Sequence, residues 1–586
     1  MAVENLITEH IDIWTSAVKT KSTSGRGSSK KLELYGVKKL RELILELAVR
    51  GKLVPQDPSD EPASVLLERI AQEKAQLVKE KKIKKPKALP EITDEEKPFE
   101  LPSGWEWSRL GNIITASTGF AFKTSQYVEK GIFVLRVTNI NVDGTINFFD
   151  NKYISEEIAS STYSNYQLFE NDLLLVMVGG SLGKIGIVSK DVLPAVLNQN
   201  MWKLNPFGEI PVYYLKHGLG YINRNLLNIT ASTHGHLAQG DYLNKPFPLA
   251  PLKEQHRIVA KVDELMALCD QLEQQTEASI EAHQVLVTTL LDTLTHSADA
   301  DELMQNWARI SKHFDTLFTT EESIDQLKQT ILQLAVMGKL VPQDPSDEPA
   351  AELLKRIAEE KAQLVKEKKI KKEKALPPIT EDEKPFELPS GWGFAHMQDL
   401  CELITDGTHQ TPKYTDTGRP FISAQCVKPF RFMPENCRYV SEEHYQAYIK
   451  NRNPEFRDIL LSRVGAGIGE AAMIDTDLEF AIYVSTGLLK PHKSSVMSEY
   501  LVLWLNSPLG RGFSERNTLG KGVSQGNLNL SLIRAFIVSL PPLQEQKRII
   551  EQVNKLSDLC DLLKERLQSV QLTQLSLTDV IAEQVV

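Results

Sequence analysis

Two glycine-rich phrases are the first stretches of this 586-residue sequence whose residue types and spacing suggest chemistry. One reads VGGSLGKIG at 178–186, and the other reads GAGIGE at 465–470. Such phrases can cradle phosphates, but the first has Ile185 where a P-loop has Ser or Thr, and the second lacks the GxGxxG spacing. Both follow apolar runs, so the sequence predicts tight turns between strands rather than nucleotide sites.

No residue pattern in the sequence predicts catalysis or a metal centre. The pair His234 and His236 has no cysteine or acidic partner at ligand spacing. Five cysteines are scattered without a CxxC pair, and GxSxG, HExxH and paired-carboxylate patterns are absent. The tripeptide Asn-Pro-Phe at 205–207 is one proline short of the tetrapeptide that grips a flipped adenine in amino-methyltransferases. We therefore expect no catalytic residue, no cofactor and no metal in this chain.

Recognition is the chemistry that remains, because two long blocks each carry three loop-like stretches whose groups can read base edges or approach phosphates. These stretches are 117–127, 179–184 and 232–240 in the first block, and 406–414, 465–470 and 518–526 in the second. The candidate DNA-contacting residues of the first block are Lys123, Thr124, Ser125, Gln126, Arg136, Asn139, Ser181, Lys184, His234, His236 and Gln239. Those of the second block are Thr408, His409, Gln410, Thr411, Lys413, Arg419, Gln425, Arg463, Lys521, Ser524 and Gln525.

An internal duplication frames the two blocks. The phrase GKLVPQDPSDEPA at 51–63 recurs unchanged at 338–350, and the longer segments 51–105 and 338–392 agree at 47 of 55 positions. The apolar periodicity upstream of each copy predicts a helix that ends at the glycine opening the phrase. The following DPSDEP supplies turn and N-cap chemistry for a further helix, near 62–83 and 349–370.

A second duplication matches PLKEQHRIVAKVDELMALCDQL at 251–272 with PLQEQKRIIEQVNKLSDLCDLL at 542–563. Its apolar residues follow the 4-3-4-3 spacing of a heptad seam, which favours helix pairing. The seam residues are Ile258, Val262, Leu265 and Leu272 in one copy and Ile549, Val553, Leu556 and Leu563 in the other. Cys269 and Cys560 complete the seam as core residues. Heptads sustained over roughly 30 residues give a rod of about 45 Å, which would act as a ruler slightly longer than one turn of DNA.

Composition places the chain among ordinary soluble proteins, with 41% hydrophobic and 25% charged residues. No apolar run is long enough to cross a membrane, and acidic residues near the N-terminus exclude a signal peptide. The unpaired cysteines favour a reducing cytosol. The net charge is −10, yet the first block has 11 basic and 11 acidic residues and the second has 15 of each. The acidic excess therefore belongs to the helical parts and leaves a nucleic-acid partner open.

These features predict an α+β protein in which two globular α/β domains are separated by long antiparallel coiled-coil helices, with a pseudo-two-fold internal repeat. The expected segments are a helical arm and linker at 1–104, a first domain at 105–250, a helical spacer and linker at 251–391, a second domain at 392–541 and a helical tail at 542–586. Because the scaffold copies agree while the domains differ, we expect the two domains to read different half-sites.

The order of scaffold and block, which occurs twice in the chain, resembles that of the specificity subunit of type I restriction–modification systems. Each block ends in a Pro-Leu-x-Glu-Gln helix start, at 251–255 and 542–546, and a near-identical scaffold separates the blocks. The resemblance implies a cytoplasmic, non-catalytic subunit that binds double-stranded DNA through two target-recognition domains. It also implies that the seam helices dock two methyltransferase subunits, which carry S-adenosylmethionine, and that separate motor-nuclease subunits cut DNA.

Two other interpretations stay open at this point. A self-sufficient DNA methyltransferase would need a cofactor-binding α/β domain, which no segment of the sequence offers, and would bind S-adenosylmethionine alone. A duplicated coiled-coil scaffold that binds only proteins would show no preference among DNA sequences.

Overall fold

The structure is a computed structural model that describes residues 3–21, 31–83, 85, 88–227, 236–298, 300–450, 452–519 and 526–585. Its contacts divide the chain into two compact units. The first unit consists of Met1–Ala278 with Gln571–Val586, and the second consists of Ser279–Val570.

The first unit combines helices with short strands. Its helices are α1 (Val3–Glu9), α2 (Ile11–Ser16), α3 (Tyr35–Val49), α4 (Ala63–Lys79), α5 (Leu110–Ile113), α6 (Glu156–Ser161), α7 (Val212–Asn225), α8 (Gln239–Leu243) and the start of α9 (Leu252–Thr295). Its strands are β1 (Lys19–Lys21), β2 (Lys31–Glu33), β3 (Glu106–Arg109), β4 (Ile114–Thr118), β5 (Ile132–Leu135), β6 (Tyr153–Ile154), β7 (Gln167–Leu168), β8 (Leu173–Val176), β9 (Ile185–Ile187), β10 (Ala195–Leu197), β11 (Met201–Pro206) and β12 (Pro246–Leu249).

The second unit repeats this plan. Its helices are α10 (Ala300–Lys312), α11 (Phe314–Leu317), α12 (Glu321–Val336), α13 (Ala350–Lys366), α14 (Met397–Leu400), α15 (Glu442–Ile449), α16 (Ser498–Asn506), α17 (Pro508–Arg516), α18 (Leu530–Arg534) and most of α19 (Leu543–Val585). Its strands are β13 (Gly393–His396), β14 (Cys401–Asp406), β15 (Tyr414–Thr415), β16 (Arg419–Ile422), β17 (Val427–Lys428), β18 (Arg431–Phe432), β19 (Arg438–Val440), β20 (Ile459–Ser462), β21 (Ala471–Met473), β22 (Ala481–Ile482), β23 (Thr486–Pro491), β24 (Thr518–Leu519), β25 (Asn527–Leu528) and β26 (Ile537–Leu540).

Two four-stranded sheets form the body of each globular domain. In the first domain, the antiparallel sheet has the order β4-β11-β8-β9, and the mixed sheet has the order β6-β5-β10-β7. In the second domain, the corresponding orders are β14-β23-β20-β21 and β15-β19-β16-β22. The central strands β8 and β20 are buried at every position, which is typical of a strand covered on both faces. The predicted α+β class and the internal repeat are therefore confirmed.

The glycines that open the duplicated phrase end α3 and α12 as predicted. Gly51 and Gly338 have φ values of +68° and +73°, the left-handed conformation usual just after a helix. A Cβ at Gly51 would lie 2.6 Å from Cγ of Pro102. A Cβ at Gly338 would lie 2.4 Å from Cγ of Pro389. Only glycine fits these positions without displacing the neighbouring proline.

The rest of the phrase joins each domain to its long helix through the same polar contacts. In the first unit, Gln56 donates from Nε2 to the carbonyl of Gly51 at 2.6 Å and to Glu254 at 3.2 Å. Arg257 on α9 donates to Asp60 at 2.6 Å. These contacts explain why turn residues and helix start occur together in the duplicated sequence.

The second unit repeats this junction residue for residue. Gln343 donates to Gly338 at 2.7 Å and to Glu545 at 3.0 Å, and Arg548 donates to Asp347 at 2.6 Å. Burial raises the pKa of Glu545, as it does that of Glu254 in the first unit. The junction thus keeps its chemistry as well as its backbone in both units.

The long helices pair within each unit. In the second unit, α12 lies antiparallel to α19, because Lys328 contacts Asp561 at 2.5 Å and Glu321 contacts Gln568 at 2.8 Å. The end of α9 runs parallel to α12, with Thr288 beside Gln326 at 3.4 Å. The end of α9 and α19 are therefore antiparallel in this unit, which confirms the predicted antiparallel helices.

The first unit forms the corresponding contacts with different residues. Arg41 on α3 binds Asp270 and Glu273 on α9 at 2.7 and 2.6 Å. Tyr35 and Lys39 contact Asp579 on α19 at 2.7 and 3.2 Å.

The heptad seam packs against the core of this chain, while the binding of a separate partner to these helices stays a prediction. Ile258, Val262 and Leu265 are at most 1% exposed, and Ile549 and Val553 lie in the core of the second unit. Leu272, Leu556 and Leu563 are half-buried, and the latter two pack against that core. The seam pairs the helices of this chain with its own core, so a partner would have to bind another face.

Candidate nucleic-acid interface

The described end of the third predicted loop of the first domain, residues 236–240, contacts residues that border the other two loops. Val178, at the start of the second loop, forms a β-bridge with His236 of the third loop. The backbone N–H of Leu237 donates to the carbonyl of Met177 at 2.9 Å. The Gln239 amide donates to the carbonyl of Ala116 at 3.0 Å and so ties the third loop to the strand that leads into the first loop.

The loops of the second domain meet in the same way. Val464 forms a β-bridge with Asn527, and Leu528 N–H donates to the carbonyl of Arg463 at 2.9 Å. Gly407, in the first loop, donates to the carbonyl of Thr486 on β23 at 3.3 Å. Residues that border the predicted loops thus form similar backbone contacts in the two domains.

Arg463 links the three loops of the second domain from inside. Its side chain is 6% exposed and forms an ion pair with Asp406, the first residue of the first loop. Nε donates to the carbonyl of Leu528 at 2.9 Å, and Nη1 donates to the carbonyl of Val484 at 3.1 Å. These donors bind groups of the same domain, so Arg463 positions the backbone around the loops, and its predicted DNA contact would require some of these bonds to break.

Several predicted residues of the first domain are also committed to the fold. Asn139 is fully buried and donates to the carbonyls of Asn147 and Phe149 at 3.2 and 3.1 Å. Arg136 is paired with Asp150 at 3.0 Å. Gln126 donates to the Tyr163 hydroxyl at 2.7 Å. Direct DNA contact stays a prediction for these three residues, and each of them would have to break internal bonds to make it.

The remaining described residues of the first domain are accessible. Lys123, Thr124, Ser125 and His236 are exposed, and Ser181, Lys184 and Gln239 are half-buried. His234 lies outside the described residues. Loop residues 123–125 and His236 are thus the part of the prediction that the structure leaves free to meet a ligand.

In the second domain, the exposed residues are concentrated in the first loop. His409, Gln410, Thr411, Lys413 and Gln425 are exposed. Thr408 is 6% exposed, and its hydroxyl accepts a bond from Gln410 N–H, so its DNA contact stays a prediction that this burial does not favour. Arg419 is paired with Glu442 and Glu479, and the Glu442 carboxylate raises the pKa of its guanidinium. Lys521, Ser524 and Gln525 lie outside the described residues.

One cation beside the first loop was missed by sequence reasoning. The Arg438 guanidinium lies 4.6 Å from the ring centroid of Tyr414, and both residues are exposed. The pair forms because β15 and β19 are neighbours in the mixed sheet. No sequence motif predicts this contact, because the two residues are 24 positions apart. Arginine over an aromatic ring is a common way to hold a cation at a surface.

The structure also bears on metal and membrane binding. Across the described ranges, no cluster of three or more His, Cys, Asp or Glu side chains is arranged to hold a metal ion. Over the same ranges, no helix has both the length and the apolar character needed to span a bilayer. All five cysteines fall within these ranges and are unpaired, and Cys269 and Cys560 are buried as predicted.

Comparisons with known proteins match the whole chain. A family model described as the type I restriction modification DNA specificity domain matches residues 102–282 and again 389–572. The specificity subunit of the EcoAI type I restriction enzyme of Escherichia coli is 41% identical over 620 aligned residues, which cover 100% of this chain and 99% of that subunit. The EcoEI specificity subunit of Escherichia coli is 41% identical over 608 residues with the same coverage.

A chain from a solved structure on assembly and conformational transition of the type I R-M system aligns with a TM-score of 0.47 at 18% identity, covering 83% of this chain and 99% of that chain. The two matches to the specificity domain each include one globular domain with its three loops. With full-length relatives at 41% identity, the chain belongs to the family of DNA specificity subunits of type I restriction–modification systems.

Proposed function

We propose that each globular domain reads one half of an asymmetric, bipartite site on duplex DNA and that the chain itself is non-catalytic. The observation that carries this proposal is the equivalence of the three loops on the two domains, whose exposed side chains nevertheless differ. Lys123, Thr124 and Ser125 occupy the first loop of one domain, whereas His409, Gln410 and Lys413 occupy that of the other. Unlike side chains on like backbones would select unlike base pairs.

The duplicated scaffold supports a second part of the proposal, that two copies of one methyltransferase subunit dock on this chain. Each unit contains a cleft between the helix after the duplicated turn and the linker that follows it, of about 1670 Å³ beside α4 and about 1560 Å³ beside α13. The apolar lining is repeated at equivalent positions, with Val78, Phe99, Trp105 and Trp107 in one cleft and Val365, Phe386, Trp392 and Phe394 in the other. Two nearly identical surfaces fit a partner present in two copies.

The wider assembly follows from the family. S-adenosylmethionine would be held by the methyltransferase subunits, and motor-nuclease subunits would join to cut DNA. The proposed location is the cytoplasm, where unpaired cysteines such as Cys401 and Cys426 stay reduced.

Exchange of one domain tests the proposal. A complex in which residues 105–250 are replaced by the corresponding block of a relative is expressed in cells, and methylated positions are mapped by sequencing. We expect one half of the methylated site to change and the other half to stay. A change in both halves, or in neither, would contradict the assignment of one half-site to each domain.

Two controls separate the alternatives. A scaffold that binds only proteins would give a complex without sequence preference in DNA binding. A self-sufficient methyltransferase would bind S-adenosylmethionine as the isolated chain, which equilibrium dialysis with the labelled compound measures.

A further inference from the structure

A short hairpin in the second domain presents basic and aromatic side chains next to the second loop. Strands β17 and β18 pair through Val427 with Phe432 and Lys428 with Arg431, leaving Pro429 and Phe430 as the turn. The hairpin packs against the strand that follows the second loop, because Phe430 N–H donates to the carbonyl of Ala471 at 2.9 Å.

The two sides of this hairpin differ in burial. Val427 and Phe432 are buried in the core between the two sheets. Lys428 and Arg431 are exposed, and the ring of Phe430 at the tip is 49% exposed. The core residues therefore fix the hairpin, while its tip carries two cations and an aromatic ring into solvent.

The turn keeps a strained conformation at its aromatic residue. Phe430 has a φ of +62°, a region that glycine and asparagine adopt readily and that a bulky residue adopts at a cost. Pro429 precedes it, as in a type II turn, where the next position usually holds glycine. Packing does not require an aromatic side chain at this exposed position. The backbone strain at Phe430 therefore points to a function of its ring.

The corresponding segment of the first domain lacks these properties. There the excursion from Ile140 to Ile146 carries Val142 and Asp143 at its tip. Asp143 accepts bonds from the Thr145 N–H and hydroxyl at 2.9 and 2.6 Å, which hold the pKa of its carboxyl below the usual value.

The two corresponding segments also differ in charge. Residues 424–440 contain Lys428, Arg431 and Arg438 against Glu435, whereas residues 137–154 contain Lys152 against Asp143 and Asp150. The segment is basic in the second domain and acidic in the first.

We propose that the Lys428–Arg431 hairpin is a fourth DNA-contacting element, present only on the second domain. Lys428 and Arg431 bind backbone phosphates, and Phe430 packs against sugars and base edges in the adjacent groove. Its position beside the second loop supports this role, since Lys428 Nζ lies 3.5 Å from Glu470 Oε2 at the end of that loop. The inference rests on the proposed function, because it requires that the three loops bind DNA.

Salt dependence provides the test of the two cations. The complete complex with its methyltransferase subunits is titrated with a fluorescent 40-base-pair duplex of mixed sequence between 50 and 200 mM salt. Each phosphate contact contributes about 0.9 to the slope of log K against log salt, so Lys428→Ala with Arg431→Ala should lower that slope by about 1.8. The exposed Val142→Ala on the first domain is the matched control and should leave the slope unchanged.

A slope that stays at the wild-type value in the double variant would overturn the inference while leaving the proposed function intact. A wild-type complex that binds no DNA would overturn the proposed function itself. The single variants Lys428→Gln and Arg431→Gln guard against misfolding, and slow amide exchange at Ala471–Met473 reports that the hairpin is still docked.

Replacement of the ring gives a second readout. Phe430→Gly suits the positive φ and therefore keeps the turn while removing the aromatic ring. We expect affinity to fall by roughly fivefold or more, the lower end of aromatic–base contributions, with the salt slope unchanged. Unchanged affinity would show that the ring does not touch DNA.

Discussion

The two domains hold the same loop backbones with different interior chemistry. Met177 in the first domain and Arg463 in the second follow equivalent strands, and each accepts a backbone bond at 2.9 Å, from Leu237 and Leu528 respectively. Met177 is 8% exposed and adds only an apolar side chain. Arg463 adds an ion pair with Asp406 and two bonds to backbone carbonyls.

The junctions between the domains and the long helices, by contrast, have the same contacts in both units. The junctions around Gln56 and Gln343 repeat the same donors and acceptors with distances that differ by at most 0.2 Å. The junction therefore keeps its polar contacts because it joins a domain to a long helix, whereas the domain interior holds equivalent backbone contacts with different side chains.

The largest expected effect comes from giving the second domain the interior of the first. Arg463→Met removes the buried cation of Asp406 and leaves that carboxylate with the exposed ring of His409, whose Nε2 lies 3.2 Å from Oδ2. Breaking a buried ion pair costs about 3–5 kcal/mol. Thr118 stands where the second domain has Asp406, so Asp406→Thr combined with Arg463→Met should recover most of that loss. Amide exchange in β20 measures the free energy of unfolding of this domain. If Arg463→Met and the double variant lost the same free energy of unfolding, the ion pair between Arg463 and Asp406 would not be what stabilises the domain.

A smaller effect is expected at the two helix-ending glycines, and it should be equal in both units. Gly51→Ala and Gly338→Ala each impose an unfavourable φ at about 1–2 kcal/mol, in addition to the clash with Pro102 or Pro389. Gly179→Ala is the control for φ alone, because that glycine has φ +76° and no atom within 4 Å of a Cβ. Thermal unfolding of the purified chain measures the stability of the three variants. A loss of stability in only one of Gly51→Ala and Gly338→Ala would contradict the equivalence of the two helix ends.

The smallest effect concerns pH at the two junctions. Burial raises the folded-state pKa of Glu254 and Glu545, so each contributes stability at pH below the unfolded pKa and loses it as pH rises through the folded pKa. Glu254→Gln and Glu545→Gln should therefore become more stable relative to the wild type as pH rises from about 4 to 7. Denaturant unfolding at several pH values measures the change. If the stability of the two variants relative to the wild type changed with pH in opposite directions, the two junctions would not share the same chemistry.

Sequence patterns predicted the repeated architecture well because periodicity and turn residues are local. Gly51, the turn after it and the start of α9 at Leu252 all follow from short-range rules. The three loops in each domain were found from glycine and polar composition, and the backbone brings them together.

The roles of individual side chains could not be predicted in the same way. Asn139 and Arg463 have the donors of base-reading residues, yet burial turns those donors toward carbonyls of the same domain. The heptad seam at Ile258 identifies a paired helix but not the partner, since the same apolar stripe serves the chain's own core or another protein. Such questions are decided by contacts between residues far apart in sequence.

One of those distant contacts has a consequence for biosynthesis. Tyr35 reaches Asp579, a separation of 544 residues, and Gln571–Val586 belongs to the first unit. A ribosome therefore releases the arm and the first domain long before it has made the helix end that completes their unit. During that interval Tyr35 and Lys39 lack their bonds to Asp579, so the first unit reaches its final set of contacts only when synthesis of the chain is nearly finished.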